Sequence, residues 1–309
     1  MLCRPTRTAS TAATPSWSTN VLAAALIGSR FLHYAALLIL FGASLFPAYS
    51  FGEGGEPARA SAWRGTLLKW AAAITLLAGL GWLAFTAAQM SGDIQDAANA
   101  DTVWLVATNT EFGHLWLSRI ALAALAVALS WARPRSIWLM TVVSAALLAS
   151  LSLTGHARAG ENLLHMAADA IHLLAAGAWV GALVPLGWML WRSPAEAATA
   201  DALRRFSMVG YIAVGALVLT GVVNGLAMLD TPGRLLSTNY GRLLLVKVAL
   251  FAVMLAFAAA NRLYLTPRLA LGRAETSLRR LKGHVFAEQG LAALVVLTVS
   301  ILGTLDPAT

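Results

Sequence analysis

The sequence predicts an all-α integral membrane protein: a polytopic bundle of about eight transmembrane helices with both termini on the periplasmic side. Composition is the first ground for this. Hydrophobic residues make up 59% and charged residues only 12% of the 309 residues, about half the charge of a soluble domain, and the mean hydropathy is +0.70. The second is segmentation, because the apolar residues gather into eight runs, each close to the roughly 20 residues that cross about 30 Å of hydrocarbon. The third is the placement of arginine and lysine in alternate connections, which gives the bundle a direction.

Residues 1–19 are polar and rich in Ser and Thr, and read as a disordered tail. The first helix is expected from Asn20 to Phe46. Its run is too long for a signal-peptide core and no A-x-A site follows, so it is read as retained. Further helices are expected at about Trp63–Met90, Gly113–Trp131 and, after the turn ARPRS, Ser136–Thr154. The fifth, about Asn162–Trp191, carries most of the candidate chemistry. Phe206–Leu229, Tyr240–Asn261 and Val285–Leu305 complete the set. Residues 20–305 thus form one membrane domain without an internal repeat, followed by a short tail, 306–309.

The connections after the first, third, fifth and seventh helices hold Arg59, Arg64, Arg133, Arg135, Arg204 and Arg205, then a dense group from Arg262 to Lys282. The tail and the other connections hold only Arg4, Arg7, Arg158 and Arg234. The loop after the second helix carries Asp93, Asp96, Asp101 and Glu111 instead. The positive-inside rule then sets the basic connections in the cytoplasm. The net charge of +8 belongs to these loops and to lipid head groups, not to nucleic acid. A lone cysteine, Cys3, excludes an internal disulfide and any CxxC motif. No nucleotide-binding or catalytic motif appears, so the chain is not expected to be an enzyme.

Ionisable groups within the bilayer mark functional candidates. His165, Asp169 and His172 are spaced four and three residues apart, which puts them on one face of the fifth helix. His33 lies in the first helix, His156 just before the fifth and His114 at the start of the third. With the orientation above, all of these fall on the outer side, and only His284 lies on the inner side. Met90, Met166 and Met228 add thioethers nearby, although packing explains them better. Imidazole with thioether suits copper, Cu(I) in particular, while Asp169 could ligate or instead orient an imidazole. Lys247 is a possible partner for Asp169 or for Glu288; Glu288 reads as an interfacial carboxylate. Trp63, Trp104, Trp116 and Trp191 read as belt residues at the membrane interface.

SRFLHYAALLILFGASLF (Ser29–Phe46), TGHA (Thr154–Ala157), DAIHLLAAGAWVGAL (Asp169–Leu183), LTGVVNG (Leu219–Gly225) and YGRLLLVKVALFAVMLAFAAANR (Tyr240–Arg262) follow one another in an order that resembles the copper resistance D family, CopD/PcoD. The resemblance implies an eight-helix inner-membrane protein of copper homeostasis or resistance. It implies movement of copper from periplasm to cytoplasm, often beside a separate periplasmic carrier of the CopC type. Its histidines match His33, His156 and His172. The leading expectation is therefore a Cu(I) permease with a histidine-lined path. A b-type haem oxidoreductase ligated by His33 and His172, and a copper-responsive partner that transports nothing, stay open beside it.

Overall fold

A computed structural model describes residues 16–52, 54–132, 137–153, 163–193, 197–228, 234–266 and 274–305, and every element in them is helical. Seven helices are long and apolar enough to cross a membrane. They are α1 (Ser16–Ser50), α2 (Ala58–Ser91), α4 (Glu111–Ala132), α6 (Leu163–Arg192), α7 (Ala197–Met228), α8 (Asn239–Leu265) and α9 (Ala274–Leu302). A shorter apolar helix, α5 (Ile137–Ser150), continues as a 3-10 turn and lies against α4 and α1. Arg119, more than two turns into α4, grips the last turn of α5, its Nε donating to Ser150 Oγ at 2.9 Å and a second nitrogen to the Ser150 carbonyl.

Helix α1 is central. It touches α2, α5, α6, α7 and α9 and joins two apolar clusters. One cluster packs α1 with α2, α4 and α5 around Leu37, Leu40, Trp116 and Leu148; the other packs α6 to α9 around Leu183, Leu186, Met254 and Leu281. Between α1 and α6 the backbones meet. A Cβ on Gly181 would lie 1.9 Å from the Leu38 carbonyl oxygen, and one on Gly42 would lie 2.4 Å from that of Gly177. Small residues allow this approach, as they do in many membrane bundles.

The two ends of the bundle differ. At the histidine end, Arg30 of α1 donates to the carbonyl of Gly303 just past α9. At the basic end, Trp63 of α2 stacks on Trp188 of α6, with ring centroids 4.8 Å apart, and Lys282 sits over Trp191.

Several sequence expectations shift. Helix α1 starts at Ser16, within the stretch read as tail; residues 1–15 lie outside the described residues. Helix α7 begins nine residues before Phe206 and α9 eleven before Val285, so the basic residues at these starts are helical. The connection after α2 is not plain loop: it holds a 3-10 turn, Ile94–Ala98, and α3 (Ala100–Asn109). Asn99 caps α3, its side-chain oxygen accepting from the amides of Asp101 and Thr102. Helix α6 is interrupted by a π-helical turn, Gly177–Gly181, and α8 ends in another, Asn261–Leu265. Trp116 is fully buried rather than interfacial.

Candidate functional site

Asp169, His172 and Leu173, one stretch of α6, face a cavity of about 430 Å³ at the histidine end. Its wall takes Arg30 and Tyr34 from α1, Trp82 from α2, Asn224 from α7, and Tyr240 and Lys247 from α8. The helical spacing of Asp169 and His172 thus does place both on one surface, and that surface is polar within membrane helices, where such groups are costly. The cavity is a meeting point of all seven long helices and of residues remote in sequence.

The hydrogen bonds around His172 fix its chemistry. Thr220 Oγ1 donates to the Ala216 carbonyl at 2.6 Å, which uses its only hydrogen. The 2.9 Å contact between His172 Nδ1 and Thr220 Oγ1 must therefore run from Nδ1–H to the hydroxyl oxygen. In the neutral ring the lone pair is left on Nε2, the form that ligates a metal. A partner that orients the imidazole in this way is the usual support of a metal ligand. Asp169 is held from the same helix, α7, Asn224 Nδ2 donating to its Oδ1 at 3.2 Å. The Asn224 side-chain oxygen is buried and has no hydrogen-bond partner among the described residues.

Lys247 and Arg30 share this wall with one carboxylate, that of Asp169. Arg30 is also committed elsewhere, lying over the Trp82 ring at 4.7 Å from its centroid as well as donating to Gly303.

The remaining candidates disperse. His165 is buried on α6, one turn before Asp169, and is not on the cavity wall. His33 is 1% exposed and points toward α2 and α4. Its Nδ1–H donates to the Thr75 carbonyl at 2.9 Å, and its ring meets Trp82 and Trp116 edge-on at 5.8 and 5.5 Å. His33 does not line the cavity, so His33 and His172 do not face each other across it. His114 is exposed and donates from Nε2 to the Thr108 carbonyl, closing the turn between α3 and α4. Met90 is 56% exposed, Met166 is half-buried, and neither lines the cavity. Met228 ends α7 with its side chain outside the described residues, and His156 lies outside them altogether. Among the described residues no three of His, Cys, Asp and Glu converge as a metal centre would require.

Sequence reasoning missed Thr220, Asn224 and Tyr240. A threonine or asparagine in a membrane helix carries no signature until its neighbour across the interface is known. It also misplaced Glu288: the expected interfacial carboxylate is 2% exposed.

Comparison with known proteins bears on what this cavity serves. Residues 21–166 match the family model described as copper resistance protein D-like, N-terminal domain, and residues 200–302 match copper resistance protein D. The inner membrane protein YebZ of Escherichia coli strain K12 is 33% identical over 303 residues, covering 93% of this chain and 100% of that protein. Copper resistance protein D of Pseudomonas syringae pv. tomato is 33% identical over 91% of this chain and 96% of its own length. The copper transport protein CutJ of Bacillus subtilis is 31% identical over 52% of this chain and 29% of its own. No solved structure matches.

Proposed function

The chain belongs to the copper resistance protein D family, and we propose that it carries Cu(I) through the membrane, taking it up at Asp169 and His172. It is a multi-pass protein of the inner membrane. In this reading it crosses eight times, with α5 as the extra crossing, and both termini are periplasmic. The histidine end then faces the periplasm and copper moves inward. It acts as a permease rather than an enzyme, and a separate CopC-like carrier delivers the metal.

The observation that carries the reading is the locked imidazole of His172 on the wall of a polar intramembrane cavity. Soft imidazole nitrogen favours copper over hard cations. The poverty of the site supports passage over storage, because a conducting site must bind well enough to admit an ion and weakly enough to release it. Inward flow needs no nucleotide, since the membrane potential contributes about 2.3 kcal/mol per charge per 100 mV.

The test is Cu(I) binding to detergent-purified protein under reducing conditions. Wild type is expected to bind, and His172→Ala and Asp169→Asn each to bind at least about tenfold more weakly with unchanged thermal unfolding. Equal affinity in all three would end the assignment of this cavity.

A further inference from the structure

A second cavity, of about 320 Å³, lies at the basic end of the same helices. Its wall is largely apolar, from Trp179 and Leu183 of α6 to Leu255 of α8 and Leu281 of α9. One carboxylate faces it. Glu288 of α9 is 2% exposed and accepts from Asn261 Nδ2 at 2.5 Å. Asn261 opens the π turn of α8, a feature that often marks functional positions. The Asn261 side-chain oxygen in turn accepts from His284 Nδ1 at 2.8 Å, which leaves the lone pair of His284 on Nε2. The other titratable or charged groups lining this cavity are Arg262 from α8 and Tyr211 from α7, stacked 5.9 Å apart. Helix α6 adds only apolar side chains to it.

The two cavities lie in register along shared helices. On α8, Lys247 lines the first and Leu255 the second, with Phe251 between. On α6, His172 lines the first and Leu183 the second. Trp179 meets Phe251 edge-on at 6.0 Å, and buried Leu217 of α7 completes an apolar layer. Glu288 and Gly303, which line opposite cavities on α9, are about 22 Å apart along the helix.

An ionised carboxylate in such surroundings is costly, so the group takes up a proton or another cation. We propose that Glu288 is a cation-exchange site: it holds a proton when the path is empty and gives it up when the transported cation arrives. The carboxyl O–H bond breaks, its electron pair stays on the carboxylate oxygen, Cu(I) takes the place of the proton, and one proton leaves to water at the basic end. No oxidation state changes. A hard oxygen donor holds Cu(I) poorly, which suits a site of release, and His284 Nε2 offers the next ligand outward. The inference rests on Cu(I) being the cargo, as proposed above.

Infrared difference spectroscopy on the purified full chain, with Cu(I) bound under reducing conditions, tests it. The same samples are assayed for Cu(I) stoichiometry and, with a pH-sensitive dye, for proton release. Wild type is expected to show the C=O stretch of a protonated carboxyl, to lose it on adding Cu(I), and to release one proton per Cu(I) taken up at this site. Glu288→Gln is expected to lack that band and the proton release while still binding Cu(I) at the first cavity. Glu288→Asp, which keeps a carboxyl, is expected to retain a shifted band. Cu(I) binding with no change in the band, or with the same change in Glu288→Gln, overturns the exchange and leaves the copper reading standing. Absence of Cu(I) binding in wild type overturns both.

Discussion

At the scale of single residues, the relay from His172 through Thr220 to Ala216 decides which ring nitrogen can hold a metal. Thr220→Val keeps the shape and removes the acceptor, so Nδ1–H loses its partner. Cu(I) affinity is expected to fall about tenfold in that variant, and an undiminished dissociation constant would show that the relay is only structural. Lys247 makes the opposite prediction. Removing its amine with Lys247→Met takes repulsion out of the cavity, and each 1.4 kcal/mol or so of repulsion removed is about tenfold in affinity. Affinity is therefore expected to rise by about tenfold or more, and a weaker site would mean that Lys247 helps to build it. Asp169 and His172 were legible in the sequence because two ionisable groups on one turn of an apolar helix have no plain explanation. Their partners were not, since hydroxyl and amide groups in membrane helices satisfy themselves locally. Glu288 was misread because the helix carrying it starts eleven residues before its apolar run, and those extra turns draw the carboxylate inside.

At the scale of elements, the apolar runs located every long helix, because crossing hydrocarbon demands uninterrupted backbone hydrogen bonding and the sequence must obey it. Helix ends were less legible. Arg204 and Arg205 in α7 and Arg279 and Arg280 in α9 are polar, yet helical, as residues outside the hydrocarbon are free to be. The π turn at Gly177–Gly181 had no advance signal beyond its glycines. Its reason is the contact with α1, where Gly181 and Gly42 let two backbones touch. Gly181→Ala is expected to lower stability by about 2–3 kcal/mol or to abolish folding, the penalty of overpacking against rigid backbone. Gly215→Ala on α7, with nothing within 4 Å of the added carbon, is expected to be neutral. Thermal unfolding in detergent separates the two, and equal behaviour would dismiss the close approach.

At the scale of the whole molecule, the alternation of basic connections sets a direction that fusion reporters can read. A reporter active only in the cytoplasm is expected to be silent after Thr309 and active when inserted at Arg192–Ser193, between α6 and α7; activity at Thr309 would invert the molecule. The likeness to the copper resistance protein D family extends over both apolar clusters, so one architecture holds both cavities and the layer between them. The π turn of α6 lies at that layer, after His172 and around Trp179. A turn of this kind holds one residue more than the α-helix needs, and each residue turns the chain by about 100°. Deleting a single residue there, Ala178 for instance, would therefore leave a regular helix in place of the interrupted one. Because the wide turn absorbs its extra residue locally, Asp169 and His172 would keep their phase with Leu183. The two cavities would then stay aligned, and the loss would fall on the close contact that Gly177 and Gly181 make with α1.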